Sequence, residues 1–312
     1  QWLNLRAPDL TGQSVMEGSP VDRAVFAGLI VCGLIILSNR KIDWKSVFLE
    51  NKWVFLYFVF GAISFAWSDY PFISLKRWIK ASGTLVMVLV ILTEDRPYVA
   101  TGFILRSLAF VLLPLSVLFI KYYPELGRAY HMGMPMYTGV AGQKNSLGQM
   151  CLFTGIYFTW HILIDRRSVT PLEPPIHYSI YLIILPMIVW LLHMANSATS
   201  TACMIFAVAL FIIAGHPVMR TNPHRVLPLL IGIAIVTGFL EIFFQIKDTI
   251  IIMLGRRPDL TTRVPMWQDL ISMVKNPILG FGYESFWLGP RLEYVEGRWG
   301  IGSQAHNGYL EM

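Results

Sequence analysis

Long apolar stretches alternate with short polar ones along most of this chain, and few of the apolar stretches carry the polar face of a helix on a soluble core. The pattern predicts eight spanning helices: about 24–39, 53–68, 81–93, 99–120 and 145–164, two within 176–215, and 226–244. From Ile176 to Gly215 there is no Asp, Glu, Lys or Arg, which is too long for one span. The polar interruption at Ala195–Thr201 (ANSATST) divides it. SDYP at Ser68–Pro71 and TEDRP at Thr93–Pro97 read as turns, and Asp165–Pro175 (DRRSVTPLEPP) as a proline-rich connector. Only the last stretch, Ile246–Met312, is both long and polar. The expected fold is all-α, a polytopic transmembrane helical bundle over residues 1–245 with a long terminal loop over residues 246–312. That loop is expected to roof an active site whose floor is formed by the spans.

Composition agrees with a membrane chain. Of 312 residues, 55% are hydrophobic and only 14% charged, against about 25% charged in a soluble domain. The formal net charge is +6. The bases sit in short loops between spans, so they point to anionic lipid or an anionic lipid-linked substrate rather than nucleic acid. Cys32, Cys151 and Cys203 lie far apart in apolar stretches and read as small buried hydrophobes. There is no CxxC and no HExxH, so neither a structural zinc site nor a zincin is indicated. No cofactor is expected. The chain opens on Gln1 and closes on Met312 inside a polar stretch, which reads as an internal piece of a longer protein.

Orientation is undecided by charge. Alternating the sides puts nine bases on the face of Asn39–Lys52 and eight on the other before the last loop is counted. That loop adds seven more, but long loops translocate largely regardless of charge.

Four constellations carry candidate chemistry. SLKRWIK at Ser74–Lys80 places Lys76, Arg77 and Lys80 within about one helical turn. They form either a cationic patch for a diphosphate or snorkelling bases beside Trp78 as an interfacial anchor. GVAGQKNSLGQ at Gly139–Gln149 runs two glycines into Gln143, Lys144 and Asn145 and then a helix. Free backbone N–H groups there suit an anion; the plainer reading is N-capping by Asn145 or Ser146. NSATST at Asn196–Thr201 reads mainly as a tight turn. In the last loop Arg256, Arg257 and Arg263 form a basic cluster, and His306 stands beside Asn307. An arginine fork can take two phosphate oxygens, and a neutral imidazole can accept a proton from an attacking hydroxyl. A lone loop histidine is as readily solvated. Glu284, Glu293, Glu296 and Glu311 are scattered, which argues against a two-carboxylate glycosidase.

Taken in order, GSPVDR (Gly18–Arg23), WSDYPFISLKRW (Trp67–Trp78), IKYYPELGR (Ile120–Arg128) and YTGVAGQKNSLG (Tyr137–Gly148) form one series, continued by NSATST, TTRVPMW (Thr261–Trp267), NPILGFGYESF and AHNGYLE. The series resembles the O-antigen ligase and polysaccharide polymerase superfamily, and within it the exopolysaccharide-production proteins of bacterial envelopes. The resemblance implies a membrane glycosyltransferase that is metal-independent and inverting. Its donor would be an undecaprenyl-diphosphate-linked glycan and its acceptor a glycan or lipid A-core sugar. It further implies a bacterial inner-membrane protein whose loop and active face are periplasmic. By position, His306 would be the base and Arg263 the loop arginine on the diphosphate. Arg77 and Lys144 would be basic positions of the same cavity, with Arg256 and Arg257 less closely matched, and Lys80 of the SLKRWIK patch is counted with them as diphosphate-binding. Asn145, Trp267 and Asn307 would support them.

Two rival readings stand beside it. A transporter or flippase for lipid-linked sugar needs ionisable residues buried in a span, and only Arg106 is placed for that. A non-catalytic assembly subunit would leave His306 replaceable.

Overall fold

The computed structural model describes residues 20–131, 134–167, 172–222, 263–274 and 276–299, with positions 224, 227–228, 230–233, 305, 307 and 310. The chain is an all-α polytopic membrane protein. It divides into two compact units: 1–93 with 248–312, and 94–247.

In the first unit α1 (Pro20–Asn39) packs along α4 (Pro71–Leu92). Gly33 and Gly83 make the close approach possible. A side chain at Gly33 would strike Val86 and Met87, and one at Gly83 would strike Ile30. Arg40 closes the end of the pair, donating to the Val90 carbonyl at 2.6 Å and to Thr93 Oγ1 at 2.8 Å. Between them lie α2 (Trp44–Glu50) and α3 (Lys52–Ile63), the latter running on as a 3₁₀ turn, Ser64–Trp67. The expected second span, about 53–68, thus corresponds to α3 with its 3₁₀ turn, and an 86° bend separates it from the additional helix α2. Asp43 accepts the Lys45 and Ser46 amides, so helix starts inside the expected basic loop. The expected third span also starts early. Pro71 at the first turn starts α4 ten residues ahead, so Lys76, Arg77 and Lys80 lie on a helix and not at its entry.

In the second unit α6 (Lys144–Leu163) is central. It is packed by α5 (Pro97–Tyr122), α7 (Tyr178–Ala195) and α8 (Ala198–Gly215). Its buried face carries Leu147, Cys151, Tyr157 and Phe158 against Ala109 and Leu113 of α5 and Ile184, Ile188 and Leu191 of α7. Small residues let backbones approach without a hydrophobic drive between helices. A Cβ at Gly148 would stand 2.8 Å from Ser197 Cβ and from Ser200 Oγ. Asn196, at φ 45°, ends α7 and turns the chain into α8, as the NSATST turn requires. Of the cysteines only Cys151 is buried. Cys32 and Cys203 are exposed, on helices whose apolar surface suits lipid.

Among the described residues four helices, α1, α5, α7 and α8, are each long and apolar enough to cross a bilayer, and the bent α2–α3 pair would make a fifth. The helices α4 and α6 match them in length but hold more polar residues. Most of the expected eighth span lies outside the described residues. Between the fourth and fifth expected spans lies a hairpin, β1 (Arg128–His131) and β2 (Met134–Tyr137), with Arg128 opposite Tyr137. The last stretch is likewise not all loop, since it contains α9 (Arg263–Ser272) and α10 (Pro290–Trp299).

Candidate functional site

The first unit brings two of the sequence motifs together. NPILGFGYESF docks on WSDYPFISLKRW through bonds that mostly end on main-chain atoms. Trp67 Nε1 donates to the Leu279 carbonyl at 2.9 Å, and the Tyr283 amide donates to Ser64 Oγ at 2.9 Å. Arg77 donates to the Glu284 carbonyl, with Nε 3.9 Å from the Glu284 carboxylate. Asn276 shapes the turn by accepting the Ile278 and Leu279 amides at 3.0 and 3.1 Å. Gly282 has φ +90°, and a Cβ there would lie 2.6 Å from Ser68 Cβ and 2.9 Å from the Ser64 carbonyl, so the fit requires glycine. Arg291 holds the far end. It donates to Asp69 Oδ2, Phe286 O and Ser285 O, and its guanidinium lies 4.4 Å from the Phe281 ring centroid.

The cavity left beneath this docked segment, lined by Tyr57, Gly61, Ser64 and Gly280–Glu284, is about 100 Å³. At ~30 Å³ per water it holds a few waters and no sugar ring. Burial pushes the Tyr283 hydroxyl up to about 12, with the neighbouring Glu284 charge adding to the effect. The phenol therefore stays protonated near neutrality and is not a base.

A second pair of motifs meets through α9. Trp267 Nε1 donates to the Ala305 carbonyl at 2.9 Å. Met266, Leu270, Trp287, Val295 and Ala305 form a small core behind that bond. Trp299 Nε1 and Arg298 both reach Asp269, at 3.0 and 3.4 Å, tying α10 to α9. Arg263 is the first residue of α9, one turn before Trp267. Ala305 and the half-buried Asn307 flank position 306. His306, Arg256 and Arg257 lie outside the described residues.

Lys80 is exposed, with Nζ 5.2 Å from the Phe26 ring centroid on α1. Lys144 and Asn145 belong to the second unit. There the motifs IKYYPELGR and YTGVAGQKNSLG form one end of the helices. Arg128 donates to the Ile120 carbonyl at the close of α5 and lies over Tyr137. The Thr138 amide bonds Gly127 O, and the Val140 amide bonds Ser116 Oγ. Gly142, at φ +71°, then delivers the chain into α6. The capping expectation fails. Gln143 is the N-cap and makes no side-chain capping bond, and Asn145 and Ser146 lie within the first turn. Half-buried Lys144 heads that turn with no hydrogen bond or ion pair among the described residues.

Sequence reasoning missed Asp69, Tyr283 and Arg291, which lie in or beside quoted motifs but whose partners are far away in sequence. It also missed a buried polar group in the second unit. Glu173 Oε2 accepts from Tyr157 at 2.6 Å and faces Arg106 Nη2 at 3.5 Å. Asp165 accepts the Leu172 and Glu173 amides. His161 is buried beside Tyr181. The signal available was two acids in a connector otherwise read as prolines.

These features describe a multi-pass α-helical membrane protein with a folded terminal segment anchored on its helices. Residues 182–312 match the family model described as O-Antigen ligase. The chain is 26% identical over 295 residues to the Exopolysaccharide production protein ExoQ of Rhizobium meliloti (strain 1021), an overlap of 89% of this chain and 63% of that protein. The chain thus spans less than two thirds of that relative's length. No solved structure matches it. The two matches support the O-antigen ligase and ExoQ-type family for this chain.

Proposed function

We propose that the chain is the transferring part of a membrane glycosyltransferase for polysaccharide production, of polymerase or O-antigen ligase type. The donor is a glycan on undecaprenyl diphosphate, the acceptor a hydroxyl of a growing glycan or a lipid A-core sugar. The active face is periplasmic on the inner membrane, and the terminal segment, residues 246–312, is the catalytic loop beside a transmembrane domain over residues 1–245. The observation that carries this reading is the Trp267–Ala305 bond. It ties the helix headed by Arg263 to the residue before His306.

In this reaction the acceptor oxygen attacks the anomeric carbon as the bond to the diphosphate oxygen breaks, so the configuration inverts. The electron pair leaves with the lipid diphosphate and the acceptor proton passes to His306. A diphosphate is already a good leaving group, so the main demands are fixed positive charge and positioning. Arg263 supplies charge in this reading, with Arg256, Arg257, Lys80 and Lys144. Arg77 is committed in part to Glu284, so it serves through its remaining donors and by holding the docked segment. A general base contributes roughly 10²–10⁴-fold, and the reaction needs no metal.

The test uses the full-length parent protein, purified undecaprenyl-diphosphate donor and EDTA. His306→Ala is expected to lose transfer at normal protein level while the wild type is unaffected by EDTA. Transfer by the variant would move the base elsewhere. Absence of transfer by the wild type would favour a flippase or an assembly subunit.

A further inference from the structure

Arg106 lies nine residues into α5, a 26-residue helix about 39 Å long, so its Cα stands about 14 Å from the helix start. Helical side chains lean toward the N-terminus, which brings the guanidinium back toward the bilayer surface. One side of it faces Glu173, with Nη2 3.5 Å from Oε2. That carboxylate is buried and also takes the Tyr157 hydroxyl, so it is fixed in place. Arg106 makes no hydrogen bond among the described residues, although a guanidinium has five N–H donors.

Its other side lines a cleft of about 400 Å³ between α5 and the start of α7. Phe103 and Phe110 of α5 and Ile176 and Ile180 beside them give the cleft apolar walls, and His177 stands at the level where α7 begins. Nδ1 of His177 pairs with Ser179 Oγ at 2.8 Å, and its other ring nitrogen has no partner among the described residues. The cleft thus offers guanidinium and imidazole donors near the helix starts and is greasy further in. This end of the helices is opposite the one formed by Gly139–Lys144.

We propose that this cleft holds one anionic glycerophospholipid, its phosphate on Arg106 and His177 and an acyl chain against Phe110 and Ile180. Donors left without acceptors in a bilayer require oxygen ligands, and a lipid phosphate supplies them at this depth. The occupant is a lipid because most of the lining is apolar and the polar donors, Arg106 and His177, sit to one side of it. Inorganic phosphate would gain nothing from those walls.

The test is native mass spectrometry of the full chain, released from vesicles containing equal phosphatidylglycerol and phosphatidylcholine. The wild type is expected to retain phosphatidylglycerol roughly fivefold over phosphatidylcholine, the preference one basic side chain gives. Ser107 is exposed and lines the cleft, so Ser107→Trp fills it and is expected to abolish retention. Arg106→Lys keeps the charge opposite Glu173 but loses the fork, and is expected to weaken the preference. Equal retention of the two lipids by the wild type overturns the proposal. So does undiminished retention by both variants, or displacement of the lipid by millimolar inorganic phosphate.

Discussion

Arg291 Nη1 lies 2.6 Å from Asp69 Oδ2, an ion pair between positions 222 residues apart that fastens the terminal segment to the turn before α4. The two partners contribute unequally. Asp69 is exposed and offers one exposed pair, whereas Arg291 also satisfies the Ser285 and Phe286 carbonyls and covers Phe281. Asp69→Asn is expected to cost under about 1 kcal/mol. Arg291→Met is expected to cost about 2–3 kcal/mol, because it strands two carbonyls. Thermal unfolding of both variants in detergent checks the order, and equal losses would refute the asymmetry.

The Trp267–Ala305 bond gives a sharper test of the proposed chemistry. Trp267→Phe keeps an aromatic ring in the small core of α9 and α10 but removes the only donor of the indole. Stability is expected to fall by about 1 kcal/mol. Glycan transfer is expected to fall by about ten- to a hundredfold if position 306 is displaced by an ångström. Transfer rates and unfolding temperatures measured on the same preparation separate the two effects. A rate loss no larger than the folding loss would remove Trp267 from the positioning of the base.

Gly148 should tolerate no larger residue. Gly148→Val would press on Ser197 and Ser200 across the α6–α8 contact. The expected cost is about 1–3 kcal/mol of overpacking. Gly28, where a Cβ would meet nothing within 4 Å, is the matched control, and Gly28→Val is expected to be nearly silent. Melting curves of the pair make the comparison.

Tyr283 makes the docking sensitive to alkali. Its hydroxyl is raised to about 12 by burial, from an ordinary value of about 10. A raised value means the folded state favours the protonated form. The stabilising contribution is therefore complete below about pH 10 and is lost as pH rises toward 12. Tyr283→Phe is expected to flatten that part of the stability profile, read by unfolding between pH 9 and 12.

Much of the fold was legible in the runs of apolar residues. Ala195–Thr201 could be read as a break because seven small or polar residues interrupt a stretch without charges. The start of α4 was not legible. Lys76, Arg77 and Lys80 looked like the polar flank of a span, yet Pro71 begins a helix ahead of them. The α2–α3 break was hidden in the same way, because Trp44–Glu50 mixes charges with aromatics. In the candidate site the motifs were visible as strings, but their pairing was not. Trp267 meets Ala305 38 residues away, and Arg77 meets Glu284 207 residues away, contacts that no local period announces. The Arg106–Glu173 pair escaped because its acid sits in a connector that folds back against α5.

The bonds that dock residues 279–286 on the helices end on main-chain atoms, Leu279 O, Glu284 O and the Tyr283 amide, while Arg291 of the same segment takes Ser285 O and Phe286 O. Apart from Gly282 and Phe281, a grip of that kind reads little of side-chain identity. Outward residues such as Ile278 and Leu279 are exposed and can be exchanged without loosening it. Variation at those two positions would redecorate the surface of the segment while its anchorage stays constant, which makes them the natural places to alter partner preference by design.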